Sequence, residues 1–187
     1  MDKKDRKIIS MLQRAKRPNL SEIGKEVGIS AMGAKKRIDR LERENKIKST
    51  ALLNVEKLGI ILALLAMEVE SSEALQNLLR RFEKCPRIIK FFVTIGGYNL
   101  FALVWAEDLH SLESITLEKC SLRAQPGIRR YEVYPIREIQ YDPFLDLKVV
   151  AEKIDPAPCG VDCGSCSRYN AEKCLGCPAT SFYRGRL

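Results

Sequence analysis

Residues 20–42 read LSEIGKEVGISAMGAKKRIDRLE, and this stretch decides the fold of the N-terminal segment. Residues 21–27 have the apolar spacing of a short helix with a serine suited to its N-cap. Gly28 suits the left-handed residue that ends a helix, and Ser30 suits the N-cap of a following one. A longer amphipathic pattern then runs over residues 31–45. The sequence therefore predicts two helices joined by a tight turn.

The flanking residues extend this pattern into a small domain. Residues 5–14 predict a preceding helix, which Pro18 and Asn19 end. Residues 47–55 have the composition of an extended segment and would form a wing and an exit strand. We therefore predict a winged helix-turn-helix over residues 1–54.

The excess positive charge of the chain lies in this segment. Residues 1–50 contain 15 lysines and arginines against 7 acidic residues, whereas residues 51–187 contain 17 of each. Cations collected in one small domain indicate a polyanionic partner, because they displace counterions condensed on phosphates. The predicted partner is double-stranded DNA.

A helix-turn-helix lays its second helix in the major groove of DNA, with flanking cations on phosphates. The outward side of the predicted helix supplies four candidates for contact with, or closest approach to, base edges: Ser30, Met32, Gly33 and Lys36. Three further cations are predicted to bind phosphates: Lys35, Arg37 and Arg40. The alternative is a basic amphipathic helix that is merely solvated.

Residues 55–150 show a different alternation of elements. Strand-like runs cover 60–69, 88–95, 100–105 and 128–139, and helical runs cover 72–84 and 111–122. The order β-α-β-β-α-β predicts a ferredoxin-like domain, and hence an α+β chain. One face of such a sheet carries no helix, and an apolar uncovered face favours dimerisation.

Residues 151–187 form a third segment with its own chemistry. Five cysteines fall within nineteen residues: Cys159, Cys163, Cys166, Cys174 and Cys177. Paired Cys-x2-Cys spacings, with Gly164 and Gly176 allowing tight turns, predict a metal site. The irregular spacing and a proline after the last cysteine favour a 4Fe-4S cluster. A structural zinc site and metal-free thiols are the alternatives.

The ligand set stays open within the tail. Cys163, Cys166, Cys174 and Cys177 are the best four, with Cys159 as a competitor. The other two cysteines, Cys85 and Cys120, are interpreted as small buried hydrophobic residues. His110, the single histidine, is interpreted as a surface residue at a helix start.

The sequence also bears on the cellular location of the protein. Its longest apolar run, residues 58–67, is too short to span a bilayer, and its first residues are charged. We therefore expect a cytoplasmic protein without a membrane partner. In that reducing compartment the thiols favour metal binding over disulfides, and the cluster would make the protein redox- or oxygen-responsive.

The stretches DRKII (5–9), LSEIGKEVGIS (20–30) and RIDRLE (37–42) resemble the Lrp/AsnC, or feast/famine, transcriptional regulators. The segments VTIGGYNL (93–100) and QPGI (125–128) are similar to that family's regulatory domain. The resemblance implies homodimers built through the uncovered sheets, often stacked as octamers. It also implies a small-molecule effector bound near Gly96, Gly97, Tyr98 and Asn99.

Two features depart from that family. Asn99 stands where its members usually have aspartate, and the cysteine tail is absent from its common members. Residues 98–101 are also faintly similar to a motif of sirohaem decarboxylases, which share the two-domain layout. No histidine lies beside that turn and no acid–base pair is evident. The sequence therefore predicts a regulator rather than an enzyme.

Overall fold

The computed structural model describes residues 1–14 and 18–187. They divide into two units, residues 1–51 and residues 52–187. The first unit contains three helices: α1 (Lys3–Arg14), α2 (Leu20–Val27) and α3 (Ala31–Arg43). The second contains, in chain order, β1 (Leu53–Asn54), β2 (Ile61–Val69), α4 (Ser72–Phe82), β3 (Ile88–Val93), β4 (Leu100–Ala106), α5 (Leu109–Leu117), β5 (Ile128–Ile136), β6 (Phe144–Leu145) and α6 (Ser167–Asn170).

The three N-terminal helices pack around a small apolar core. Ile8 from α1, Ile23 from α2 and Ala34 from α3 are each at most 1% exposed. The helical spacing seen in the sequence places these residues on the inner faces. The N-cap of α2 is Asn19 rather than Ser21, because Asn19 accepts a hydrogen bond from the N–H of Glu22 at 2.8 Å.

The turn between α2 and α3 has the predicted conformation. Gly28 adopts a left-handed backbone with φ of 67°, and the Ser30 side chain accepts a hydrogen bond from the N–H of Gly33 at 3.1 Å. Gly24 is required for a different reason. A Cβ atom on this residue would lie 2.6 Å from the carbonyl oxygen of Ile29, so only glycine lets the turn close against α2.

The second unit has the predicted ferredoxin-like topology. Its four strands pair antiparallel in the order β3-β4-β2-β5. Inward-facing residues of the two central strands, including Leu65 and Ala102, are buried against Leu78 and Phe82 of α4. The opposite face is less covered, and Phe92 and Tyr134 are 49% and 48% exposed there.

Several element boundaries differ from the sequence prediction. Helix α5 begins earlier and ends earlier than predicted, because Asp108 caps it and the backbone at Glu118 is extended. The predicted exit strand shrinks to Leu53–Asn54, which pairs with Phe144–Leu145 in the second unit. The last sheet strand ends at Ile136. Within the described residues, no helix is long and apolar enough to cross a membrane.

The cysteine-rich tail packs within the second unit. Apart from the four-residue helix α6, it consists of turns and irregular chain. Ala157 and Cys159 are 4% and 8% exposed and belong to the main apolar core of the ferredoxin-like domain. The tail and the ferredoxin-like domain fall in one unit, and apolar residues of both share the same core.

Candidate functional sites: a basic helix and a thiol-lined cavity

Helix α3 presents an open, cationic outer surface. Met32 is 61% exposed, and Lys35 and Lys36 are also exposed. Among the residues that the structure describes, no carboxylate pairs with either lysine. A Cβ atom on Gly33 would make only ordinary contacts, the nearest at 3.4 Å, so nothing inside the unit requires glycine there.

Two other cations of α3 are held by a buried carboxylate. Asp5 is 1% exposed and contacts both Arg37 and Arg40, each at 2.7 Å. Arg37 also contacts Asp2 at 2.7 Å. Both arginines thus fasten α3 to α1, whereas Lys35 and Lys36 have no such partner among the described residues.

This cluster depends on ionised carboxylates. Burial alone would raise the pKa of Asp5, but the backbone N–H of Asp2 and the guanidinium groups of Arg37 and Arg40 together hold that pKa below its ordinary value. The backbone N–H of Asp5 and the guanidinium of Arg37 lower the pKa of Asp2 to about 2. Both carboxylates are therefore charged at neutral pH and compete with any phosphate for Arg37.

The turn at residues 96–99 is exposed at its tip and fastened at its base. Gly96 and Gly97 are exposed, and the hydroxyl of Tyr98 donates a hydrogen bond to Glu132. The side-chain amide of Asn99 accepts from the N–H of Val69 and donates to its carbonyl, both at 2.8 Å. The structure therefore uses the amide of Asn99 to hold the start of β4 against the end of β2.

All seven cysteines of the chain line one cavity of about 60 Å³. Cys85 follows α4 and Cys120 follows α5, and the tail provides Cys159, Cys163, Cys166, Cys174 and Cys177. Apolar side chains such as Leu65, Phe82 and Ile115 form most of the remaining wall. Thiolate sulfur surrounded by apolar groups is a donor set suited to zinc or an iron–sulfur cluster.

Polar contacts hold the tail over this cavity. The Ser114 hydroxyl donates to the carbonyl of Lys173 at 3.0 Å and accepts from Nε of Arg168 at 2.8 Å. Arg168 also pairs with Glu113. Ser111 accepts from the N–H of Leu175 at 3.3 Å. The tail segment between Cys166 and Cys177 is therefore anchored along α5.

A buried arginine stands beside the thiols. Arg87 is 4% exposed, pairs with Glu107 at 2.8 Å, and donates to the carbonyl of Gly176 at 2.7 Å. Although burial opposes its charge, Glu107, Cys174 and Cys177 raise the pKa of this guanidinium. Position 176 requires glycine. Its backbone has φ of +82°, and a Cβ atom there would lie 2.7 Å from a backbone oxygen.

Burial in the cavity raises the pKa of several of its thiols. Burial raises the pKa of Cys85 to about 11 and that of Cys177 to about 12. Backbone N–H groups of Arg87 and Ile88 oppose the rise at Cys85. In the structure as it stands, no three potential ligands among residues 1–14 and 18–187 are gathered closely enough to hold a metal ion.

Comparisons with known proteins agree with the two-unit architecture. A model of winged helix-turn-helix DNA-binding domains matches residues 1–48, and a model of Lrp/AsnC ligand binding domains matches residues 62–139. An uncharacterised HTH-type transcriptional regulator of Pyrococcus abyssi is 32% identical over 134 residues, which cover 71% of this chain and 83% of that protein. The chain belongs to the Lrp/AsnC family of transcriptional regulators.

Two solved structures of transcriptional regulators share the fold. AsnC of E. coli has a TM-score of 0.65 at 18% identity and covers 76% of this chain and 95% of its own. A regulator of Neisseria meningitidis in complex with L-Met has a TM-score of 0.66 at 19% identity, covering 76% and 93%. The cysteine tail lies outside both matched family models.

Part of the thiol cavity of this Lrp/AsnC protein lies outside the cysteine-rich tail and is not predicted by the sequence pattern. The sequence predicts Cys85 and Cys120 as small buried hydrophobic residues, whereas both are only partly buried against the main apolar core and also line the cavity with the tail thiols. The Cys85-Pro86 sequence at a helix end was a usable signal for Cys85, whereas nothing local marks Cys120 or Arg87.

Proposed function

We propose that this Lrp/AsnC regulator binds DNA through α3 and carries a metal centre in its thiol cavity that makes DNA binding redox-responsive. The convergence of the tail thiols on one cavity carries the metal part of the proposal. The exposed basic surface of α3 supports the DNA part.

On α3 the free cations are the main candidates for DNA contact. Met32 and Lys36 lie on the outer face and are placed to reach base edges, with Ser30 and Gly33 at the helix start where the backbone can approach closely. Lys35 is assigned to a phosphate. Arg37 and Arg40 are also assigned to phosphates. Both already pair with Asp5, so a phosphate competes with this carboxylate for them.

For the metal we favour a 4Fe-4S cluster over zinc. Five tail thiols exceed the four that a closed zinc site uses, and an apolar cavity shields an iron–sulfur cluster from water. The Arg87 guanidinium near Cys174 and Cys177 would offset part of the negative charge of a thiolate centre. With zinc instead, the tail would be a structural element and the signal would come from a small-molecule effector.

For assembly and effector binding, the proposal is based on the Lrp/AsnC family. The exposed aromatic residues Phe92 and Tyr134 support a homodimer through the uncovered sheet face, with octamers as a further stage. We assign an effector to the turn formed by Gly96, Gly97, Tyr98 and Asn99. Because the Neisseria regulator was solved with L-Met, amino acids are the first effectors to test.

The test is an absorption spectrum with iron, sulfide and zinc analysis of full-length protein purified without oxygen, followed by DNA-binding titrations. About four irons per chain with a broad band near 400 nm would support the cluster. DNA affinity should then differ among intact, oxidised and metal-free protein. Equal affinity in all three states would refute redox sensing, and one zinc per chain would favour the structural alternative.

A further inference from the structure

Asp39 is the one acidic residue of the N-terminal unit, residues 1–51, whose carboxylate has no partner among the described residues. Residues 1–50 contain seven acidic residues. The other six each bind a group inside the unit: Asp2, Asp5, Glu22, Glu26, Glu42 and Glu44. The carboxylate of Asp39 makes no such contact, so the packing of the three helices does not depend on it.

Asp39 lies on the side of α3 that faces away from the core of the unit. Ala34 and Leu41 are fully buried on the inner side. With about 3.6 residues per turn, Lys36, Asp39 and Arg43 fall on the opposite side, and all three are exposed. Residues three and four positions apart are neighbours on a helix surface. Asp39 therefore stands between two cations on the surface that we assign to DNA.

The surroundings of Asp39 restrict what its carboxylate can contact. It lines a groove of about 480 Å³ along α3 together with Lys36, Arg37, Arg40 and Arg43. A DNA phosphate is attracted by these four cations but repelled by the carboxylate, because like charges repel. An ionised carboxylate only accepts hydrogen bonds. On DNA, Asp39 therefore needs a donor, and the donors that DNA offers in the major groove lie on base edges.

The donors of the major groove differ in their neighbours. Cytosine presents its N4 amine, whereas guanine presents two acceptors and thymine presents one. Adenine has an N6 amine, but its N7 acceptor lies beside it and would face the carboxylate. Cytosine is thus the base whose major-groove edge best fits a carboxylate.

Resting on the DNA binding by α3 proposed above, we infer that Asp39 is a specificity-determining residue that accepts a hydrogen bond from the N4 amine of a cytosine. The neighbouring cations bind phosphates, and Asp39 disfavours guanine and thymine at its position. The same carboxylate lowers affinity for random DNA, since non-specific binding rests on phosphate contacts. Asp39 thus exchanges general affinity for discrimination between bases.

The test uses full-length wild type, Asp39→Ala and Asp39→Asn, purified without oxygen. Wild type first selects its preferred site from random duplexes, and each base pair of that site is then changed in turn and titrated. At one position wild type should prefer cytosine by roughly 5- to 100-fold, the range of a single base contact. Asp39→Ala should lose this preference and bind random DNA more tightly. Asp39→Asn should prefer adenine there, because an amide pairs with N6 and N7 of adenine.

Glu26→Gln is the matched control, because it removes the same charge from an exposed residue of α2. It should keep the wild-type preference at every position. If Asp39→Ala and Asp39→Asn bind all sequences more tightly by one common factor, with the base preferences of wild type, Asp39 only repels phosphates and the inference is overturned. A position controlled by Asp39 at which wild type prefers another base would overturn the assignment to cytosine. A wild type that selects no sequence would instead refute sequence-specific DNA binding by α3 itself.

Discussion

The side-chain amide of Asn99 makes two hydrogen bonds to the backbone of Val69, in the way a neighbouring strand would. It accepts from the N–H and donates to the carbonyl, both at 2.8 Å, next to the register shift between Glu68 and Val69. An aspartate could accept from the same N–H but would place a negative charge against the carbonyl oxygen. The geometry at this position therefore favours a side-chain amide over a carboxylate.

Replacing Asn99 by Asp should therefore destabilise the ferredoxin-like domain. We expect a loss of about 1–3 kcal/mol at pH 7, the usual cost of an unsatisfied buried polar group. Urea unfolding of full-length protein measures it. Acidification should recover part of the loss, because a neutral carboxyl group can donate to the carbonyl as the amide does. A variant as stable as wild type at pH 7 would contradict this account.

Local patterns predicted the N-terminal unit better than the thiol cavity. Gly28 and Ser30 determine the turn through their own backbone and side chain, so the sequence alone was sufficient there. Cys120 instead contacts the carbonyl of Ser114, and the hydroxyl of this serine contacts the carbonyl of Lys173, 59 positions away in sequence. Such long-range contacts leave no periodic signal in a single sequence.

Asp5 should make the N-terminal unit sensitive to acid. Its pKa in the folded protein lies below the ordinary value of 3.8. Its contribution to stability is therefore fully present above that value and is lost as pH falls through the lower, folded pKa. Asp5→Asn should remove about 1–3 kcal/mol at pH 7 and flatten this part of the pH profile.

The exposed Asp2 provides the control for that measurement. Asp2→Asn should leave stability at pH 7 close to that of wild type, because solvent screens this ion pair. Thermal unfolding monitored from pH 2 to pH 7 compares the three proteins. A profile of Asp5→Asn that parallels wild type throughout acid pH would show that Asp5 does not control the acid response.

The two free lysines of α3 should affect DNA binding differently. Lys35→Ala should weaken binding to all sequences and reduce the slope of log affinity against log salt by about 1. Lys36→Ala should cost about 1–3 kcal/mol on a specific site and less on random DNA. Titrations over several salt concentrations measure both. Lys57→Ala, an exposed lysine of the second unit, is the control and should change neither quantity.

Arg87 and Glu107 should be strongly coupled in stability. Their side chains are only 5% and 10% exposed and lie 2.8 Å apart. Arg87→Met leaves Glu107 buried without its cation and should cost about 3–5 kcal/mol, whereas the double variant Arg87→Met/Glu107→Leu should recover most of that loss. A double-mutant cycle by urea unfolding tests this. Strictly additive losses would indicate that the two residues act independently.

The uncovered face of the sheet should be the dimer interface. Phe92 lies opposite Phe101 in the register of β3 and β4 and is 49% exposed, so a charge there leaves the helix-covered core unaltered. Phe92→Glu should convert the dimer to monomer in analytical ultracentrifugation while keeping the far-ultraviolet circular dichroism of wild type. Leu109→Glu, at a residue that is 68% exposed on α5, should remain dimeric. If Phe92→Glu stays dimeric and Leu109→Glu dissociates, the interface lies on the helical side instead.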